Sequence, residues 1–176
     1  VLLTFDGVPS ENTPELLAKL AEVNAKAVFF INTDQLENPK ARQIVEQIHE
    51  AGHMLGNGAK PGMTNFASEQ QKDYIVEVSR LIRNVSGSYP ILFRPVWADY
   101  DWQTSELVES FNMSLITWGY CYDASPEYQD AASLTNISLN TSLLNSGVVV
   151  LMHPFSWTIE AIPGLVNGYR NLHYEV

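Results

Sequence analysis

The sequence predicts one α/β domain built on a parallel sheet, and three observations carry that prediction. Short apolar runs alternate with amphipathic stretches from end to end. The runs are apolar on both faces, as parallel strands covered by helices are. No linker, repeat or low-complexity tract divides the 176 residues, a length that fits a single domain, 1–176, with a substantial core. Seven strand–helix alternations follow, although periodicity alone leaves a closed barrel and an open sheet as alternatives.

Val1 to Phe5 is short, apolar and ended by Asp6-Gly7, so it is the first strand. The chain opens inside this run, and its natural start is expected upstream. Thr13-Pro14-Glu15 starts a helix with Thr13 as cap and Pro14 at the first position. Leu16, Leu17, Leu20 and Val23 form its apolar stripe. Ala27 to Ile31 is the second strand, and Pro39 to Glu50 the next helix, stopped by Gly52. A short strand, His53 to Asn57, precedes a long helix, Ser68 to Asn84, in which Ile75, Val78 and Ile82 recur at helical spacing. Ile91 to Phe93, Ser114 to Trp118 and Val148 to Met152 are further strands. Thr104 to Phe111, Ala131 to Leu144 and Thr158 to Val166 are helices, and Leu172 to Val176 is expected as a closing strand.

The formal charge of -10 argues against nucleic acid as a partner, because phosphate binding needs clustered Lys and Arg. No apolar run approaches the roughly 20 residues that span a bilayer. The one cysteine, Cys121, forms no internal disulfide and is too few for a thiolate metal cage. Glycosylation acceptor patterns occur at Asn84, Asn112, Asn136 and Asn140, against roughly one or two expected by chance. They point to a secreted or wall-associated glycoprotein, with a chance pattern as the alternative.

In a parallel barrel the working face lies at the C-terminal ends of the strands. Asp6, Asn57, Arg94, Asp123 and His153 follow predicted strands and would converge on one mouth. Each has a plainer reading. Asp6 before Gly7 suits a turn, Arg94 before Pro95 suits a surface salt bridge, and His153 suits a half-buried core histidine. All three sharing one face favours the functional reading. His53 begins a strand and reads as structural.

Leu3-Thr4-Phe5-Asp6-Gly7-Val8-Pro9-Ser10 resembles the first motif of the polysaccharide deacetylases (the NodB-homology family, carbohydrate esterase family 4), L-T-F-D-D-G-P-S. Ala27 to Ile31 resembles its A-T-F-F-V strand, and Gly52 to Asn57 resembles the G-H-E-I-G-N that opens the second motif. Leu92 to Trp97 resembles the third, F-R-P-P-Y; Ile116-Thr117-Trp118 the fourth-motif strand; and Val148 to His153 the I-L-L-H of the fifth. Gly168-Tyr169-Arg170 falls where the family often has G-Y. The motifs run in order across nearly the whole chain.

The resemblance implies a distorted, TIM-like (β/α) barrel. It also implies metal-dependent hydrolysis of acetyl groups on chitin-like, peptidoglycan or xylan chains, with a cation such as zinc activating water and polarising the acyl oxygen. By position, Asp6 would be the base, His153 the acid and Arg94 the residue that orients the base. The implied metal ligands, one Asp and two His, fall on Gly7, Gly58 and Gly62, which carry no donors. No metal or other cofactor is therefore expected, because a catalytic zinc needs about three protein ligands. Cys121 and Ala124 stand where fourth-motif acids are expected, with Asp123 nearby as a substitute. Asn57, Trp97, Trp118, Tyr120 and Asp123 are expected to line a sugar groove, with Asp99, Tyr100, Asp101, Trp102 and Tyr122 as further candidates; ordinary core packing is the alternative for any single aromatic. The expectation is a deacetylase-family protein without its hydrolase activity that binds wall glycan. An active deacetylase with an unusual metal or none, and a scaffold for a protein partner, are the alternatives.

Overall fold

The computed structural model describes residues 1–32, 34 and 40–176. Among the described residues six parallel strands form one sheet: β1 Leu2–Val8, β2 Val28–Asn32, β3 Met54–Ala59, β4 Leu92–Phe93, β5 Ser114–Leu115 and β6 Val149–Met152. Their order is β5-β4-β3-β2-β1-β6. The helices are α1 Thr13–Glu22, α2 Ala41–Glu50, α3 Ser68–Ser86, α4 Trp102–Ser110, α5 Ala131–Asn140 and α6 Ser156–Asn171. Among the described residues, no helix is long and apolar enough to cross a membrane. Asn84, Asn112, Asn136 and Asn140 are all exposed, on helices α3 and α5 and in the turn after α4.

The sheet curls because its last short strand changes neighbours. Ile116 N–H donates to Phe93 O on β4, whereas Gly119 N–H donates to Val149 O, and Leu151 N–H on β6 donates to Tyr120 O. Tyr120 thus bridges Val150 and joins the two ends of the sheet into a distorted barrel. The expected strand Ser114–Trp118 is paired only at Ser114–Leu115 for this reason: residues 116–120 carry the chain across the seam.

Other boundaries shift for local reasons. Thr13 is the first helical residue and Asn12 the cap position; the Thr13 hydroxyl accepts from Ser10 N–H at 2.9 Å. Asp101 caps α4, which begins two residues before the expected start, its Oδ1 accepting from Thr104 N–H at 2.8 Å. α5 stops at Asn140, because Thr141 turns extended and hydrogen bonds Tyr122. α6 runs past both expected ends and through Pro163. Leu172 to Val176 forms no strand; it follows α6 as a tail, and Glu175 O accepts from Val1 N at 2.6 Å. The expected helix start at Pro39 lies outside the described residues, which resume at Lys40.

The main core lies between β1, β2, β6 and the inner faces of α1, α2, α5 and α6, with Phe5, Phe29, Ile31, Leu16, Ile48 and Tyr169 almost wholly buried. A smaller cluster of Met63, Ile75, Phe93, Val108 and Met113 fills the space beneath α3 and α4. Packing on both sheet faces leaves the C-terminal strand ends as the place where polar side chains collect.

Candidate functional site

Arg94 and Asp6 form the first half of the site. Arg94 follows β4 and is fully buried, its N–H donating to Asn57 O at 2.8 Å. One guanidinium nitrogen, Nη1, donates to Thr4 Oγ1 at 2.7 Å and to Asp6 Oδ1 at 3.3 Å; Nη2 donates to Thr117 O at 3.2 Å. The guanidinium carbon also lies 4.2 Å from the centre of the Phe30 ring. Thr4 in turn donates its hydroxyl proton to Val150 O at 2.7 Å, so β1, β4, β6 and the 117 turn share one hydrogen-bonded cluster. Burial pushes the Asp6 carboxyl above its usual value, and Arg94 and His153 offset this only in part.

Asp123 and His153 form the second half. Asp123 is fully buried. Its Oδ1 lies 3.1 Å from His153 Nδ1 and accepts from the Cys121 thiol at 3.4 Å. Its Oδ2 accepts from His153 N–H at 2.6 Å and from the Thr158 hydroxyl at 3.0 Å, and its backbone carbonyl accepts from the Trp157 indole at 2.9 Å. Burial alone would lower the His153 imidazole. The hydrogen bond and charge of Asp123, with Asp6 adding, outweigh it and leave the value raised.

Both halves face one cleft of about 300 Å³, lined by Asp6, Gly7, Asn32, Trp97, Trp118 and His153 among others. A buried carboxylate and an imidazole on the walls of one cleft can take up and return a proton. Trp97 stands at the rim, 78 % exposed, on a left-handed backbone (φ 57, ψ 21), followed by Ala98 at φ 56. Each non-glycine residue in that region costs on the order of 1 kcal/mol, and such strain concentrates at ligand clamps.

The polysaccharide deacetylase family model matches residues 1–116. The chain belongs to the polysaccharide deacetylase family. A peptidoglycan-N-acetylglucosamine deacetylase of Bacillus cereus is 27 % identical over 163 residues, 87 % of this chain; the chain spans 55 % of that relative. Among solved structures, a family 4 carbohydrate esterase from Streptomyces lividans in complex with acetate superimposes with a TM-score of 0.87 at 22 % identity, over 99 % of this chain and 89 % of the other. A family 4 pseudoenzyme from Bacillus anthracis superimposes with a TM-score of 0.88 at 22 % identity, over 99 % and 62 %. At these identities the superpositions establish the fold.

Against the deacetylase pattern, three positions stand out. Gly7 lies in the cleft wall at φ +71, where an added Cβ would sit 3.9 Å from His153 Cδ2. Gly62 has φ +73. Gly58 lies against Asn32: an added Cβ would come within 2.8 Å of Asn32 Nδ2 and 3.0 Å of Ile31 O. Asn32 is buried and bridges the other two segments, Oδ1 accepting from Gly7 N–H at 3.3 Å and Nδ2 donating to Gly58 O at 3.2 Å. An amide cross-link thus occupies the space between positions 7 and 58.

The structure brings Asp6, Arg94 and His153 together at the strand ends, with Asp123 directly behind His153 and Trp97 and Trp118 on the cleft. It moves three expected groove residues into the interior, Asp123 among them with no exposure. Asn57 has no exposure, and its Nδ2 donates to Ile75 O at 2.8 Å and Ser79 Oγ at 2.9 Å, fastening α3 to β3. Tyr120 is 4 % exposed, its hydroxyl paired with that of Tyr169 at 2.6 Å. Tyr122 stacks on Tyr120, and Asp99 and Asp101 hold Thr64 and α4. Asn32, Thr4, Thr158 and Trp157 were not legible as site residues. Only Thr4 carried a signal, as the second letter of the first motif.

Proposed function

We propose that this domain binds an acetylated glycan in the cleft between Asp6 and His153 and has lost the family's metal-dependent hydrolysis. The observation that carries this reading is the survival of the acid–base frame around a centre stripped of donors. Arg94–Asp6 and Asp123–His153 are intact, whereas positions 7, 58 and 62 are glycine and Asn32 bridges two of them. The family's cation would need about three ligands in that space. The residues there do not fit one. In the working reaction Asp6 would stand as base, Arg94 would orient it and His153 would be the acid. Here Asp6 and His153, which line the cleft, serve as polar contacts for sugar hydroxyl and amide groups while buried Arg94 holds Asp6, and Trp97 offers an exposed ring on which a pyranose stacks.

The test measures two quantities on the same protein. Acetate release from chitin oligomers, peptidoglycan fragments and acetylated xylan should be negligible with and without added zinc. Titration calorimetry against the same oligomers should show saturable binding that weakens about tenfold in Trp97→Ala, the size of one aromatic contact. Chelator-sensitive acetate release would overturn the loss of hydrolysis, and no binding to any of the three polymers would overturn the glycan reading.

A further inference from the structure

We propose that Cys121, Asp123 and His153 form a divalent-metal site of their own, distinct from the family position at residues 7, 58 and 62 and independent of whether the cleft binds glycan. Three different donors converge there. Cys121 Sγ lies 3.4 Å from Asp123 Oδ1, and His153 Nδ1 lies 3.1 Å from the same oxygen. All three ligand atoms fall within 4.8 Å of one another. A tetrahedral zinc with ordinary bond lengths sets sulfur and oxygen donors about 3.5 Å apart, and nitrogen and oxygen donors about 3.3 Å apart. The two spacings to the shared oxygen therefore need to change by only tenths of an ångström, and the sulfur and the imidazole nitrogen, within 4.8 Å of each other, would close to about 3.6 Å around the ion.

The surroundings hold the ligands in place. Asp123 Oδ2 is fixed by the His153 N–H and the Thr158 hydroxyl, and its own backbone carbonyl by Trp157, so Oδ1 is the oxygen left to face the sulfur and the imidazole. Such supporting bonds set ligand orientation and raise metal affinity. An entry path exists, because His153 and Ala124 line the cleft and the His153 side chain is 25 % exposed. Asp6, close enough to perturb both His153 and Cys121, adds negative charge, and Arg94 opposes it. One thiolate, one carboxylate and one imidazole suit zinc or cobalt(II) and leave a fourth position for solvent. On binding, the Cys121 thiol proton leaves to solvent as the sulfur–metal bond forms. His153 then binds through Nδ1 as neutral imidazole, its Nδ1 proton leaving to solvent from the imidazolium or reappearing on Nε2 in the neutral ring, so the ion replaces the Asp123–His153 hydrogen bond.

The test uses the purified, chelator-stripped protein with zinc and cobalt(II) as probes. One equivalent should bind, and cobalt should give a near-ultraviolet thiolate charge-transfer band that zinc abolishes by competition. Cys121→Ser, nearly isosteric, should lose the band and at least tenfold in zinc affinity, and His153→Gln should weaken binding similarly. Circular dichroism of both variants establishes that they fold. Cobalt binding without the thiolate band, zinc affinity unchanged in folded Cys121→Ser, or no saturable binding at all would overturn the site. None of these outcomes bears on glycan binding in the absence of metal, so this inference and the proposed function fail separately.

Discussion

Residue-scale chemistry separates the polar pairs at the cleft from the positions that carry no donor. Arg94, Asp6, Asp123 and His153 are joined by hydrogen bonds in two pairs, whereas position 58 is glycine where a side chain would meet Asn32. Gly7→Asp, Gly58→His and Gly62→His together would supply three donors, but the Cβ introduced at position 58 would press on Asn32 Nδ2. In a Cys121→Ser background, which removes the second proposed site, adding Asn32→Ser to that triple variant should raise zinc affinity about tenfold or more over the triple alone. Equal affinities would show that Asn32 is no obstacle. A second residue sets acid sensitivity. Burial, with the charge of Lys26 adding, lowers His53 from its ordinary 6.5 to about 4, while its Nδ1 accepts from Ala27 N–H at 3.2 Å. Between those values the unfolded chain binds more protons, so the stability this neutral imidazole contributes is present above pH 6.5 and lost as pH falls towards 4. Discounted for residual solvent access, the loss is on the order of 2 kcal/mol. Urea unfolding across that range should show a steeper acid decline for the parent than for His53→Asn, and parallel curves would count against it.

At the scale of elements, the close approach of α5 and α6 depends on two glycines. A Cβ at Gly168 would lie 2.3 Å from Leu139 Cδ1, and one at Gly164 would lie 3.2 Å from Thr135 Oγ1. That proximity lets Tyr169, beside Gly168, reach the Tyr120 hydroxyl and pin the seam where Tyr120 bridges β6. Gly168→Val should cost about 2 kcal/mol by overpacking, and Leu139→Ala in the same chain should recover part of it. Thermal unfolding of the single and double variants decides this; an unchanged melting temperature in Gly168→Val would mean that the helices slide apart freely. The G-Y pair near the family's end thus has a packing reason here. The loop from Val96 to Asp101 is the other element with a task. Its strained Trp97 and Ala98 are anchored by Asp99, whose carboxylate accepts from the Thr64 hydroxyl at 2.6 Å, and by Asp101 at the start of α4.

For the molecule as a whole, Arg94 ties the barrel together. Its guanidinium reaches β1 through Thr4 and Asp6 and the seam through Thr117, contacts 90, 88 and 23 residues away in the chain. A buried ion pair contributes little net stability, but breaking it leaves a charge uncompensated. Arg94→Leu should therefore destabilise by about 3 kcal/mol, and Asp6→Leu added to it should restore a substantial share. Denaturant midpoints of the two variants check this. A double variant no more stable than Arg94→Leu would mean that Thr4 and Thr117, and not Asp6, account for the cost.

The strand–helix alternation and the convergence of Asp6, Arg94 and His153 were determined by the sequence, because they rest on local apolar period and on residues that directly follow strands. The family was legible for the same reason: its motifs are strand-end motifs. Tertiary structure decided what local pattern cannot encode. Residues 114–118 look like one strand by composition, and only the neighbours they pair with reveal that the chain crosses from β4 to β6 beyond Leu115. Asn57 read as a groove residue because it is polar at a strand end, and Tyr120 because aromatic faces stack on sugars, yet partners 18 and 49 residues away hold them inside. Asn32 looked like an ordinary strand end until Gly7 and Gly58 were brought to either side of it. Cys121, Asp123 and His153 became a cluster only when β6 came alongside the 119–120 bridge. Side-chain hydrogen bonds and ligand sites act across about 3 Å of space whatever the chain separation, so their partners are set by packing and are silent in periodicity.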